Sequence, residues 1–300
     1  MSCNMCPRKC MADREHGKTG YCGMTTDLYV ARAALHMWEE PCISAEHGSG
    51  AVFFTGCQLR CVFCQNAQIA RGRAGKKISV NRLAEIFLEL QDKKANNINL
   101  VTPTHYVPQI IMAIDKARAQ GLQLPFVYNT SSYENVETLK MLEGYIDVYL
   151  PDLKYHDAKL SEKYSNAPDY FEKATKAIEE MFRQVGPPEF YEKSGTTEAG
   201  VMKKGVIVRH LLLPGHIEDS KEVVKYLYET YHDDIYISIM NQYTPLPQVA
   251  EIPELNRKVT EKEYDEVVDY ALDLGVENGF IQEDGTAEES FIPEFDYEGV

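Results

Sequence analysis

The chain has 300 residues, of which 44% are hydrophobic, and a formal net charge of −15. That size and apolar fraction fit one large α/β domain with a small appendage. The acidic balance disfavours passive binding to nucleic acid or anionic membrane, because phosphate contacts need a basic surface. No apolar run is long enough to cross a bilayer, and the opening Met-Ser-Cys-Asn-Met-Cys-Pro lacks an apolar signal core. A cytoplasmic location is therefore expected. All eight cysteines lie in the first 64 residues. In a cytosolic protein this points to metal or redox chemistry rather than disulfides.

Cys3, Cys6, Cys10 and Cys22 come first, spaced Cys-x2-Cys-x3-Cys-x11-Cys, with Pro7, Gly17, Gly20 and Gly23 between and after them. So short a loop has little apolar matter to fold around, and four thiolates on one centre would supply the stability. A tetrathiolate zinc and a second iron–sulfur cluster both fit, and four free thiols are the plainer alternative. Cys42 is left over and reads as a buried thiol. Residues 26–40 read as a short strand or helix against the main domain. Surface or satisfied-core roles are expected for His36, Glu39 and Glu40, with a cluster-facing role as the alternative.

The apolar run Ala51-Val52-Phe53-Phe54 ends in Thr55-Gly56 and runs into Cys57-x3-Cys61-x2-Cys64. This reads as a buried strand feeding a loop with three thiolates. Structural zinc usually takes four protein ligands, whereas three cysteines leave one iron of a cubane open to another molecule. A structural zinc loop or three core cysteines is the alternative. From here apolar strands alternate with amphipathic helices. Strands are predicted at 51–55, 98–102, 125–130, 146–151, 205–213 and 235–240. Helices are predicted at 79–92, 107–120, 134–143, 169–185, 218–232 and 260–274, with Ser79 as an N-cap and Gly121 as a stop. Six strand–helix units imply a parallel sheet with right-handed crossovers and chemistry at the carboxyl ends of the strands. The stretch 186–204 is long for a loop and reads as a lid or a surface excursion. Residues 276–300 are acidic, yet Phe280, Ile281, Phe291, Ile292 and Phe295 predict that they fold back across the open side.

The three-cysteine loop after a strand, with Phe63 just before its last cysteine, resembles the radical S-adenosylmethionine (SAM) superfamily. The resemblance implies a partial (β/α)6 TIM-like barrel at residues 46–275, with a cysteine-rich extension at 1–45 and a packed C-terminal segment at 276–300. It implies a [4Fe-4S] cluster on Cys57, Cys61 and Cys64, whose open iron chelates SAM and whose electron cleaves it to a 5′-deoxyadenosyl radical. An external electron donor of the flavodoxin or ferredoxin type goes with that chemistry. Such enzymes commonly place Gly-Gly-Glu-Pro at the second strand end. Here Pro103 and Thr104 are kept but Thr102 replaces the acid, which leaves a backbone role for this turn. Asp152-Leu153-Lys154 at the fourth strand end resembles the glycyl-radical-enzyme activases, where acids of the third and fourth strands hold a monovalent cation against SAM. Here Asn129, followed by Thr130, replaces the first acid. Arg209, inside an apolar strand, matches the activases' Arg-apolar-Pro-Gly run. A buried arginine is costly unless paired, so it reads as a carboxylate clamp for SAM or substrate. His210 reads as a satisfied core histidine, and Tyr243 as an adenine-pocket or packing residue.

Across the whole chain the likeness is greatest to the pyruvate formate-lyase activating enzyme-like (PflX-like) subgroup. The expected activity is hydrogen abstraction, with the glycine of a partner glycyl-radical enzyme as one substrate. Modification of a peptide or small metabolite is the alternative, and so is a metal-binding interaction protein without turnover.

Overall fold

The computed structural model describes residues 3–191, 200–282 and 293–300. The centre of the expected lid stretch, together with Phe291 and Ile292, lies outside them. In chain order the elements are β1 (Leu28–His36), α1 (Pro41–Ser44), β2 (Ser49–Phe54), α2 (Ala67–Ala70), β3 (Lys76–Ile78), α3 (Val80–Asp92), β4 (Ile98–Val101) and α4 (Val107–Ala119). Then come β5 (Phe126–Thr130), α5 (Val136–Lys140), β6 (Val148–Pro151), α6 (Ala158–Ser165), α7 (Tyr170–Val185), β7 (Glu189–Phe190), β8 (Met202–Leu211), α8 (Ile217–Tyr231), β9 (Tyr236–Met240), α9 (Glu261–Leu274) and β10 (Gly279–Ile281). The strands run β10-β9-β8-β6-β5-β4-β2-β1-β3, with β7 paired to β8. From β2 to β10 this path is parallel, and β1 and β3 are antiparallel additions at one edge. The six predicted strands are β2, β4, β5, β6, β8 and β9, neighbours in the sheet in the same order as in the chain, as short connections between sequential elements favour. This is the mostly parallel α/β sheet expected from the alternation, and it is consistent with the partial barrel that the resemblance implies.

The local signals act as their chemistry dictates. Ser79 accepts the Arg82 N–H at 3.1 Å and starts α3. Thr260 and Glu263 form a capping box at the start of α9. The helix expected at 134–143 is shorter, Val136–Lys140, because the chain then turns tightly to reach β6. Along β4, Ile98 and Leu100 join the core beneath α3 and α4, while Val101 belongs to the inner cluster with Ala51 and Phe53. That alternation is the period of a strand buried on both faces.

Two segments outside the six units shape the interior. The residues after β1 drop into the barrel, where Cys42 and Ile43 of α1 pack with Val127, Val148, Leu150 and Ile207. The Asn97 amide secures this plug by donating to the Ile43 carbonyl at 2.8 Å. At the other end of the chain, β10 extends the sheet beside β9, while Tyr297 and Glu298 bond the backbone of β1 at the opposite edge. Arg32 pairs with Asp296 and Glu298, and Phe295 meets Phe53 edge-on at 5.6 Å. Among the described residues no helix is long and apolar enough to cross a membrane.

Candidate active site

A cavity of about 470 Å³ occupies the barrel's interior. That is the size of a cofactor pocket. Its wall carries Cys57, Cys61, Phe63 and Cys64 from the loop after β2, and Thr102 from the turn after β4. Asn129 and Thr130 of β5, Asp152 and Lys154 after β6, and Arg209 of β8 complete it. Parallel strands end together, so residues far apart in sequence meet there. Thr104 and Tyr243, grouped with these by sequence, sit behind the wall. Thr104 is buried and donates to Glu134 Oε1 at 2.5 Å, while accepting from Gln58 Nε2 at 2.8 Å. Tyr243 donates to the Leu255 carbonyl at 2.6 Å and packs its ring on Phe63.

The cysteine loop leaves β2 through Gly56, which adopts φ +94°, where a Cβ would stand 2.3 Å from Met24 Cγ. Only glycine accepts both the conformation and the contact. The Leu59 N–H lies 3.3 Å from Cys57 Sγ, and the Ser165 hydroxyl donates to Cys61 Sγ at 3.1 Å. Burial pushes all three thiols up, Cys64 to about 12, with the neighbouring cysteines adding to the shift at Cys64. Three thiolates here therefore need a strongly positive partner. Iron supplies it, and the N–H and O–H donors suit bound sulfur. The donor set fits a cluster on these three residues.

Opposite lies a buried charge network. Asp152 accepts from Lys154 Nζ at 2.7 Å and from Arg209 Nε at 3.0 Å. Arg209 also donates to Glu39 Oε2 at 3.1 Å and to Asn129 Oδ1 at 2.7 Å. Glu39 in turn accepts from Asn99 at 2.9 Å. Burial alone would raise the Asp152 carboxyl, but Lys154 and Arg209 together hold it below its usual range. For Glu39 and Glu40 burial prevails and both are pushed up. Glu40 is 8% exposed, and its Oε2 has no hydrogen-bond partner among the described residues.

His36, Glu39 and Glu40 all line the cavity, and this corrects the surface or core roles expected for them. The apolar Cys42 and Ile43 draw their segment into the barrel, a long-range effect that no local pattern encodes. His210 is the satisfied core histidine expected, bonded to the Leu153 carbonyl and the Ser220 hydroxyl. Thr102 adopts φ +58°, a strained setting for a β-branched residue. Its N–H is held by the Asn129 carbonyl at 2.9 Å.

Sequence reasoning passed over Arg8, Arg14 and Glu134. Arg8 donates to the carbonyls of Gln58 at 2.8 Å and Ser165 at 2.9 Å, and also to that of Asn166. Its guanidinium lies 4.0 Å from the centre of the Tyr21 ring. Arg14 bonds the carbonyls of Met24, Thr25 and His105. Arg8 fastens the N-terminal cysteine module to the back of the Cys57–Cys64 loop, and Arg14 fastens it to the turn after β4. The only local signal was their position, next to or between the cysteines.

Residues 51–227 match the family model of the Radical SAM superfamily, and the chain belongs to that superfamily. The family implies a [4Fe-4S] cluster and SAM. A curated relative, the uncharacterized protein MJ0674 of Methanocaldococcus jannaschii, is 27% identical over 286 residues, covering 91% of this chain and 76% of its own. Among solved structures, methylornithine synthase (PylB) superposes with a TM-score of 0.51 at 14% identity, over 91% of this chain and 74% of that one. Streptococcus suis SuiB bound to S-adenosylmethionine gives 0.50 at 15% identity, over 77% of this chain. The match spans 49% of SuiB, about half its length. At these identities the likeness is one of fold.

Proposed function

We propose that the protein is a SAM-cleaving radical enzyme whose cluster rests on Cys57, Cys61 and Cys64, and that it acts as an activase of the pyruvate formate-lyase activating type. The observation that carries this reading is a single cavity wall bearing the three cysteines together with Asp152, Lys154 and Arg209. When bound, the cluster supplies the electron that breaks the sulfonium of SAM, and an external flavodoxin- or ferredoxin-type carrier in the cytoplasm replenishes it. Arg209 and Lys154 offer cationic donors to a carboxylate of SAM or substrate, and Asp152 fixes both in place. The backbone at Thr102 would receive the SAM amino group, and Phe63, Asn129 and Thr130, which line the same cavity, would help to hold SAM. Thr104 and Tyr243 support this shell from behind. Cys3, Cys6, Cys10 and Cys22 hold a second metal centre in the segment before residue 46. The 46–275 barrel does the chemistry, and 276–300 covers its open side. The substrate hydrogen comes from a glycine Cα of a partner protein.

The test is anaerobic reconstitution followed by dithionite and SAM. Formation of 5′-deoxyadenosine is expected. Failure with an intact cluster would overturn the enzymatic reading. A glycyl radical seen by electron paramagnetic resonance in a candidate partner would support the activase assignment. Cleavage with transfer to a peptide or small metabolite instead would replace it.

A further inference from the structure

We propose that the cavity holds a subsite for a primary ammonium group carried by the substrate, with Glu40 as its anion and the ring of Trp38 at its mouth. The proposal deepens the function proposed above, and its role in turnover rests on reading the cavity as the place where SAM is cleaved.

The first argument is charge. The cavity wall carries three carboxyls, Glu39, Glu40 and Asp152, against two cations, Lys154 and Arg209. His36 also lines the cavity, but burial and the nearby arginines hold it down in its neutral form. Lys154 bonds Asp152 at 2.7 Å, and Arg209 bonds Asp152 at 3.0 Å and Glu39 at 3.1 Å, so these four charges answer one another. Glu40 is the acid left over. It is 8% exposed, and its Oε2 has no hydrogen-bond partner among the described residues. Its side chain makes no capping bond to α1, so the local fold does not use it. Burying a carboxylate without a cation is costly. Burial outweighs the pull of Arg209 and pushes this carboxyl up, so the empty site resists its ionisation. A cationic ligand brings the partner that the chain does not.

The second argument is what surrounds that acid. Trp38, two residues before Glu40, lines the same cavity and is 66% exposed, which puts it at the mouth. Ile281 of β10 also lines the cavity and is 62% exposed. An aromatic ring attracts an organic cation, and an apolar rim suits the alkyl stem that carries it. A hard metal ion asks for about six oxygens. Glu39 and Asp152 already give theirs to Asn99, Arg209 and Lys154. One spare carboxyl oxygen in a cavity with an aromatic mouth matches an alkylammonium and is too little for a metal. The subsite also has its own place on the wall. Glu40 neighbours Ser238 of β9, which pairs with Arg209 of β8, whereas Thr102, Asn129 and Thr130 belong to the ends of β4 and β5.

Trp38 is the chain's only tryptophan, so its fluorescence reports from the mouth of this cavity. The test titrates n-butylammonium, and n-butanol as its neutral counterpart, into the cluster-loaded full chain without SAM at matched ionic strength. The expected result is a saturable change with the ammonium and none with the alcohol. Glu40→Gln should bind the ammonium at least about tenfold more weakly, since a charged hydrogen bond is lost. Its affinity for SAM, read by calorimetry, should be unchanged. An equal response to the alcohol, unaltered ammonium binding in Glu40→Gln, or an equal loss of SAM affinity in that variant would each overturn the proposal. Acetyl-Gly-Lys-Gly-amide, titrated in parallel, identifies the source. Tighter binding of the peptide than of butylammonium supports a lysine side chain of a partner protein, and binding of butylammonium alone supports a free amine. If the ammonium does not bind while 5′-deoxyadenosine still forms, the subsite falls and the proposed function stands. Ammonium binding without any SAM cleavage would sink the proposed function and leave the subsite.

Discussion

Arg209 on β8 and Glu39 after β1 lie 170 residues apart in sequence and are joined at 3.1 Å inside the barrel. The pair ties the segment after β1 to the cavity wall, because the same guanidinium holds Asp152 at 3.0 Å. A buried pair adds little when complete, but breaking it strands a charge. Arg209→Met should leave Glu39 without its cationic partner and Asp152 with Lys154 alone, and cost about 3–5 kcal/mol. Urea unfolding measures this, and SAM cleavage should be lost as well. Glu39→Gln, which keeps an acceptor, should cost clearly less. Equal losses in the two variants would contradict this account.

The thiol roles separate cleanly by position. Cys61→Ala should abolish SAM cleavage and remove the iron bound at its loop, read by absorbance and iron content. Cys42 is buried even more deeply but packs among Ile43, Val127 and Leu150, away from the other cysteines. Cys42→Ala should leave iron content unchanged.

Glu134 gives the fold a pH dependence of defined sign. Its carboxyl is fully buried, and burial raises it from 4.5 to about 7 despite bonds from Thr104 and Thr130. A raised acid stabilises the fold fully below its unfolded value, and that contribution fades as pH rises from about 4.5 through about 7. Ionising it at pH 8 costs on the order of 3 kcal/mol. Glu134→Gln keeps the accepting oxygen and removes this cost. The variant should match the parent near pH 4 and exceed it in thermal stability at pH 8. A gain that does not change with pH would point to packing instead.

Gly56→Ala should be more harmful than its size suggests. A methyl group meets Met24 Cγ at 2.3 Å and the residue sits at φ +94°. The strain should cost about 1–3 kcal/mol and displace the cysteine loop. The expected readout is a lower unfolding midpoint together with reduced iron retention. Gly121→Ala serves as the control: it is also at positive φ but meets nothing within 4 Å, so it should lower the midpoint without affecting iron.

The sequence by itself determined the alternation of strands and helices, the cap at Ser79 and the three-cysteine loop. Each is a local pattern, set by the period of side chains along a strand or helix or by a few neighbouring residues. The strand-end residues Asp152, Lys154 and Arg209 were legible through the motifs they share with the activases and through their place at strand ends, since parallel strands bring their ends together whatever the intervening loops do. Only the tertiary structure decided that Glu39 and Glu40 point into the cavity, that Arg8 clasps the cysteine loop from behind, and that Glu134 links Thr104 to Thr130. These depend on how segments far apart in the chain pack, and on burial, which turns ordinary surface residue types into paired interior charges. Nothing in the residues around Glu39 announces Arg209; the apolar plug of Cys42 and Ile43 places it there.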